Sequence, residues 1–163
     1  MIKAVIFDLD GTLIDLPLNY EKLRGEFGRI LKVPDVGSLT KTVAGSDDET
    51  REKIFKIWDE AELALTKKIK LKDEGMALYK KYCAKPKALV TMQGKALVQA
   101  ILDPLGLCFE FALTREDSLD RREQLRKAIR KLKVNSGDVL FIGNTEGDLQ
   151  ATDDIKCQFL RVE

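Results

Sequence analysis

Residues 2–13 read Ile2-Lys3-Ala4-Val5-Ile6-Phe7-Asp8-Leu9-Asp10-Gly11-Thr12-Leu13, and the fold class follows from how that stretch begins and ends. The apolar run through Phe7, rich in β-branched residues, predicts a strand buried on both faces, as inside a parallel sheet. It closes on two carboxylates two positions apart, then on a glycine that lets the chain turn. In an open α/β sheet, ligands bind in the crevice beyond the carboxyl ends of the strands. Asp8 and Asp10 therefore stand where chemistry is expected, and two acids that close need a cation or a proton to coexist. Asp and Gly are also ordinary turn residues, so the pair alone leaves a plain polar turn equally open.

Outward from this stretch the pattern turns helical over residues 16–85. Tyr20, Leu23, Phe27, Ile30 and Leu31 share one stripe, and Pro34 and Gly37 end that helix. Ser46-Asp47-Asp48-Glu49 reads as a capping box with Ser46 as N-cap. It opens a long helix with Ile54, Trp58, Ala61, Leu65 and Ile69 on one face. Leu71, Leu78 and Tyr82 predict another helix up to Cys83, stopped by Pro86. These residues are expected to form a small antiparallel helical bundle. Strands then alternate with helices: Ala88–Val90, a helix through Leu105, Phe109–Leu113, a helix opened by Asp120 and Glu123, Val139–Ile142, a helix around Leu149–Ile155, and Gln158–Val162. Such β-then-α units predict an α/β fold with a doubly wound, Rossmann-like parallel sheet. The expected division is a core of residues 1–15 and 86–163, with a helical cap of residues 16–85 inserted after the first strand.

Composition limits the function classes. At 163 residues the chain can bury one sizeable core. Lys and Arg total 28 against 27 for Asp and Glu, so no net field draws the protein to nucleic acid or to a membrane. No apolar run is long enough to span a bilayer, and no signal peptide is read at Met1. Cys83, Cys108 and Cys157 are widely spaced in apolar company, which predicts buried reduced thiols and a cytoplasmic setting. The chain has no histidine, which excludes Ser-His-Asp and Cys-His catalysis and every histidine metal site. Chemistry must run on carboxylates, hydroxyls, Lys and Arg.

Other strand ends carry polar groups that the fold would bring to the same edge. Thr91 ends a strand before a helix, and its hydroxyl with the amides of Met92, Gln93 and Gly94 would make an anion cradle. Thr is equally an ordinary N-cap. Gly143-Asn144-Thr145-Glu146-Gly147-Asp148 follows another buried strand and could face the first across the cleft. Asp8, Asp148 and a backbone carbonyl are oxygen donors of the kind Mg²⁺ takes.

The string Asp8-Leu9-Asp10-Gly11-Thr12-Leu13 resembles the signature of the haloacid dehalogenase-like superfamily, most of whose members are Mg²⁺-dependent phosphatases. Thr91 is similar to that family's second motif, which binds the transferred phosphoryl group. The third motif is normally a Lys; here the matching region Asp120-Arg121-Arg122-Glu123 supplies Arg121 and Arg122. Gly143 to Asp148 resembles the acidic fourth motif, with Asn144 where the family usually has an Asp that ligates Mg²⁺. The insert looks like the cap of the phosphoglycolate phosphatase-like branch in position and type. The resemblance implies Mg²⁺ held by Asp8, Asp10, Asn144 and Asp148, weakened by the charge missing at Asn144, and phosphate held by Thr91, Met92, Gln93, Arg121 and Arg122. It implies a phosphatase for a small phosphorylated metabolite, with Asp8 as nucleophile and Asp10 as acid and base. The alternative is a protein that keeps the cleft and binds phosphate or a metabolite without efficient turnover. Specificity would lie in the insert, where Tyr20, Arg24, Lys41, Arg51 and Trp58 are candidates.

Overall fold

The computed structural model describes residues 1–163. Five parallel strands form the sheet: β1 (Ala4–Phe7), β4 (Lys87–Val90), β5 (Phe111–Leu113), β6 (Val139–Gly143) and β7 (Gln158–Arg161), in the order β5-β4-β1-β6-β7. Phe7 of β1 lies level with Leu89 on one side and Ile142 on the other. The opening strand is therefore central, and its end is flanked by the ends of β4 and β6. Its side chains alternate as a pleated strand requires. Val5 and Phe7 join one apolar cluster with Leu97, Val98 and Ile101, and Ile6 joins a second with Leu125, Ala128 and Ala151.

The helices covering these faces are α4 (Asp73–Lys81) and α5 (Lys95–Ile101) on the first, and α6 (Arg121–Leu132) and α7 (Glu146–Ile155) on the second. Helix α6 ends with Lys133 in the left-handed region at φ 57°, a conformation more usual for Gly at this cap.

Between β1 and β4 lie α1 (Tyr20–Leu31), α2 (Leu39–Ala44) and α3 (Asp48–Leu63), closed around Leu23, Phe27, Val43, Ile54 and Trp58. Several details of this insert differ from the sequence expectation. The N-cap of α3 is Asp47, whose carboxylate accepts from the Thr50 amide at 2.8 Å, and not Ser46. Ser46 instead donates to the Val43 carbonyl and closes α2. Helix α3 stops at Leu63, so Leu65 and Ile69 are not on it and pack against the sheet's own cluster. Leu71 is in no helix. It sits in a two-residue strand, β3 (Lys70–Leu71), paired antiparallel with β2 (Ile14–Asp15), so the insert is not purely helical. Helix α4 packs Met76, Leu78 and Tyr79 on the sheet, and the part of residues 16–85 with a separate core is the stretch built on α1 to α3.

Gly75 of α4 lies so near the Thr12 carbonyl and Leu13 backbone that a Cβ there would overlap them. The thiols also depart from expectation. Cys83 and Cys108 are exposed and Cys157 is half-buried, because the first two fall in connections outside helix and strand, where apolar sequence neighbours give no cover.

Candidate active site

The backbone of Asp8 is fixed by the sheet, its amide donating to the Ile142 carbonyl at 2.9 Å. Its carboxylate is nearly buried and accepts from Arg121 Nη2 at 3.1 Å, while Arg121 Nε pairs with Asp148 Oδ1 at 3.0 Å. One guanidinium thus joins the two acids expected to face each other. Arg121 is the first residue of α6, and Gln124 one turn on accepts from its Nη1 at 3.0 Å. Gln124 is fully buried and donates Nε2 to the carbonyls of Thr91, Thr114 and Ser118. This residue was not anticipated, since a glutamine on an amphipathic helix gives no sign in the sequence of facing inward.

Asp148 is the third residue of α7 and forms a capping box with Thr145. Its Oδ2 accepts the amides of Asn144 at 3.2 Å and Thr145 at 3.1 Å, which leaves Oδ1 for Arg121. A Cβ at Gly143 would overlap this carboxyl group. Asn144 packs its amide over Gly11, which turns at φ 81°, and its Oδ1 is 3.5 Å from the Thr12 hydroxyl. Glu146 points away and pairs at the surface with Arg161.

Asp10 turns toward the insert. Its Oδ1 accepts the Leu16 amide at 2.9 Å and its Oδ2 the Tyr20 hydroxyl at 3.1 Å. Tyr20 also accepts from Gln93 Nε2 at 3.4 Å, and Gln93 Oε1 accepts the Thr91 hydroxyl. Of the insert residues named from sequence, Tyr20 alone enters this cluster. Arg24 and Arg51 bond main-chain carbonyls within the insert, and Trp58 packs tilted against Phe27.

In the loop from Thr91 to Gly94, the Thr91 amide donates to Leu113, that of Gln93 to the Thr91 hydroxyl and that of Gly94 to Glu62. The Met92 amide is left without an acceptor in the protein. Of the two arginines offered by the sequence, Arg121 faces the acids and Arg122 does not. Arg122 is half-exposed and bonds Asp120 and Asp154 on the outer side of α6, because adjacent helical residues point about 100° apart.

Burial pushes the Asp8 carboxyl up to about 7, with Arg121 opposing and Asp148 adding to the rise. Burial also raises Asp10, against the Leu16 amide and the Tyr20 hydroxyl. The Tyr20 hydroxyl is itself raised by burial and by the Asp10 charge. A metal here would find only oxygen donors: Asp8, the Asn144 amide, Asp148 and the main chain near Asp10. No three acids converge, yet Mg²⁺ needs only one or two carboxylates beside phosphate and water, so the donor chemistry fits.

The comparisons with known proteins agree with this architecture. A family model described as haloacid dehalogenase-like hydrolase matches residues 2–152. No curated protein sequence matches the chain. Among solved structures, a haloacid dehalogenase-like hydrolase from Streptococcus pneumoniae is 17% identical, with 99% of this chain covering 85% of that one at a TM-score of 0.72. A protein assigned as a phosphoglycolate phosphatase from Lactobacillus plantarum is also 17% identical, over 97% of this chain and 84% of its own, at 0.69. CbbY from Rhodobacter sphaeroides, solved with phosphate, is 18% identical over 98% and 85% at 0.69. At such identities the structures speak for the fold, and the family model speaks for descent across nearly all of the sheet: the chain belongs to the haloacid dehalogenase-like hydrolases.

Proposed function

We propose that the chain is a phosphatase for a small phosphorylated metabolite, working through an aspartyl-phosphate on Asp8. The observation that supports it most is the triad Asp8–Arg121–Asp148 at the end of the central strand. It stands beside a loop whose Met92 amide has no acceptor in the protein. Asp8, ionised, attacks phosphorus, and the leaving alcohol takes a proton from Asp10. Water then attacks the phosphorus of the aspartyl-phosphate, gives its proton to Asp10, and Asp8 is restored. A carboxyl that serves as acid and then base needs a raised pKa, and that is the direction in which burial moves Asp10. Arg121 and the Met92 amide hold the phosphoryl oxygens. Thr91 and Gln93 shape that loop and reach Asp10 through Tyr20.

Mg²⁺, when bound, would be held by Asp8, Asp148, the Asn144 amide oxygen and the main chain near Asp10, and would supply positive charge against the repulsion between carboxylate and phosphate. The insert covers the site, excludes water and selects the substrate. Three unpaired cysteines suit a reducing, cytoplasmic setting, and no helix is long and apolar enough to cross a membrane.

A second reading, phosphate binding without efficient turnover, draws on two features. Asn144 brings no charge, and Arg121 already occupies an oxygen of both acids. Phosphate release from p-nitrophenyl phosphate with and without Mg²⁺ separates the two. The phosphatase reading expects release that needs the ion and is abolished in Asp8→Asn. Turnover near wild type in Asp8→Asn would end it. No release, with activity gained in Asn144→Asp, would support the second reading.

A further inference from the structure

A second buried charge cluster lies beside the site and joins the insert to the phosphate loop. Arg115, just past β5, has a fully buried side chain. Its guanidinium pairs with Asp59 and, at 2.9 Å, with Glu62 Oε1, both on α3. It lies 4.3 Å from the Trp58 ring and 5.6 Å from the Phe55 ring. Residues 55, 58, 59 and 62 make one stripe of α3, so that stripe is wrapped around a single core arginine.

The same arginine grips the loop after β4. Its Nη1 donates to the Met92 carbonyl at 3.2 Å and its amide to the Gln93 carbonyl at 3.3 Å. Glu62 Oε1 accepts the Gly94 amide at 3.0 Å. A Cβ on Gly94 would overlap both the Asp59 carboxylate and the Arg115 guanidinium.

We infer that Arg115 and Glu62 are positioning residues through which the insert sets the Thr91–Gly94 loop so that the Met92 amide is the donor left for phosphate. Two observations favour this over simple stabilisation. The cluster uses up the carbonyls of Met92 and Gln93 and the amide of Gly94, the groups that would let the loop rearrange. It also leaves Glu62 Oε2, Arg115 Nε and Trp58 Nε1 buried without partners, and a half-satisfied ionic network is a poor source of stability. The inference rests on the proposed phosphate chemistry for its purpose but not for its geometry.

The test compares Glu62→Leu, which deletes the acceptor while keeping an apolar side chain in place, with Glu62→Gln, which retains an oxygen for the Gly94 amide. Gly94→Ala serves as an independent way to push the Arg115–Asp59 pair off the loop. Folding is checked by thermal melts. Hydrogen exchange is then followed over residues 91–95, and inorganic phosphate affinity is measured by calorimetry in Mg²⁺ buffer. Glu62→Leu and Gly94→Ala should exchange the amide at position 94 about tenfold faster and bind phosphate about tenfold more weakly, the effect of losing one well-placed hydrogen bond. Glu62→Gln should keep both near wild type. Wild-type exchange in folded Glu62→Leu overturns the inference, and so does faster exchange with unchanged phosphate affinity, which marks a merely structural pairing. If the wild-type protein neither binds nor hydrolyses phosphate, the phosphatase reading fails by itself, and with it the purpose given to the cluster. The exchange comparison still decides whether Glu62 holds the loop.

Discussion

Replacing Arg121 by methionine keeps most of the apolar stem and removes the guanidinium that joins Asp8 to Asp148. Each contact is about 3 Å long, which at an effective dielectric near 20 is roughly 5 kcal/mol of attraction before solvation is counted. Desolvation offsets much of that, and deleting one partner of a buried pair costs about 3–5 kcal/mol net. The cost should depend on pH. With Arg121 present, the Asp8 carboxyl is pushed up to about 7 by burial, with the guanidinium holding it down. Without the guanidinium the folded-state pKa climbs further. The wild-type advantage tied to Asp8 is therefore small well below pH 7, where both proteins hold the proton, and grows as pH rises through about 7. Urea unfolding in chelator-containing buffer at pH 5.5 and pH 8.5 reads this directly. The difference between wild type and Arg121→Met should be about 3–5 kcal/mol at the higher pH and at least about 1 kcal/mol smaller at the lower. Arg121→Lys should recover only part, since an ammonium cannot span two carboxylates as a planar fork does. An equal loss at both pH values would refute the coupling between Arg121 and Asp8.

Arg122, next along the chain but solvent-facing, provides the contrast: Arg122→Ala should change unfolding free energy by less than about 0.5 kcal/mol and leave phosphate release unchanged. Gly75→Ala should cost about 1–3 kcal/mol in the same urea assay, because a methyl group there forces α4 off the Thr12 carbonyl. It should also slow turnover by disturbing the loop that carries Asp10. Burial lifts the Glu62 carboxyl from its ordinary 4.5 to about 7 despite Arg115. The stability linked to its proton is complete below about pH 4.5 and is lost as pH rises through about 7, at most about 3 kcal/mol. Glu62→Gln should accordingly gain on wild type across that interval in melting temperature, and a constant difference from pH 4.5 to 8 would contradict it.

All five strands of the main sheet were legible in the sequence, most sharply those buried on both faces. β1, β4 and β6 are short apolar runs, and β1 and β6 end in sharply polar loops, because a central parallel strand tolerates no polar face. Asp8, Thr91 and Asp148 could be named because strand ends and helix starts leave local marks. What stayed hidden was decided by distant partners. β2 and β3 are two residues each, too short for any periodicity, and exist because Leu13 to Asp15 and Lys70 to Lys72 are brought side by side. Glu62 reads as one more polar position on an amphipathic helix, and only the fold reveals Arg115 opposite it, 53 positions on. The cap of α3 was misplaced by one residue because Ser46 and Asp47 are both good N-caps, and Ser46 is engaged by the preceding helix. Which of Arg121 and Arg122 faces inward turns on the exact phase of α6, which neighbouring arginines cannot betray.

The small ladder of Ile14 and Asp15 against Leu71 and Lys70 also bears on how such a protein can change over time. Directly opposed residues of antiparallel strands sit only about 5 Å apart, so the backbone departs from the sheet domain and comes back through practically one point. The stretch between Asp15 and Lys70 meets the core again where Tyr20 bonds Asp10 and where Asp59 and Glu62 pair with Arg115. Outward of those contacts, around α2, it can be lengthened or trimmed without altering the spacing of any strand in the main sheet. Selection can thus rework that outer part while Asp8, Arg121, Asp148 and the Glu62–Arg115 pair stay where they are.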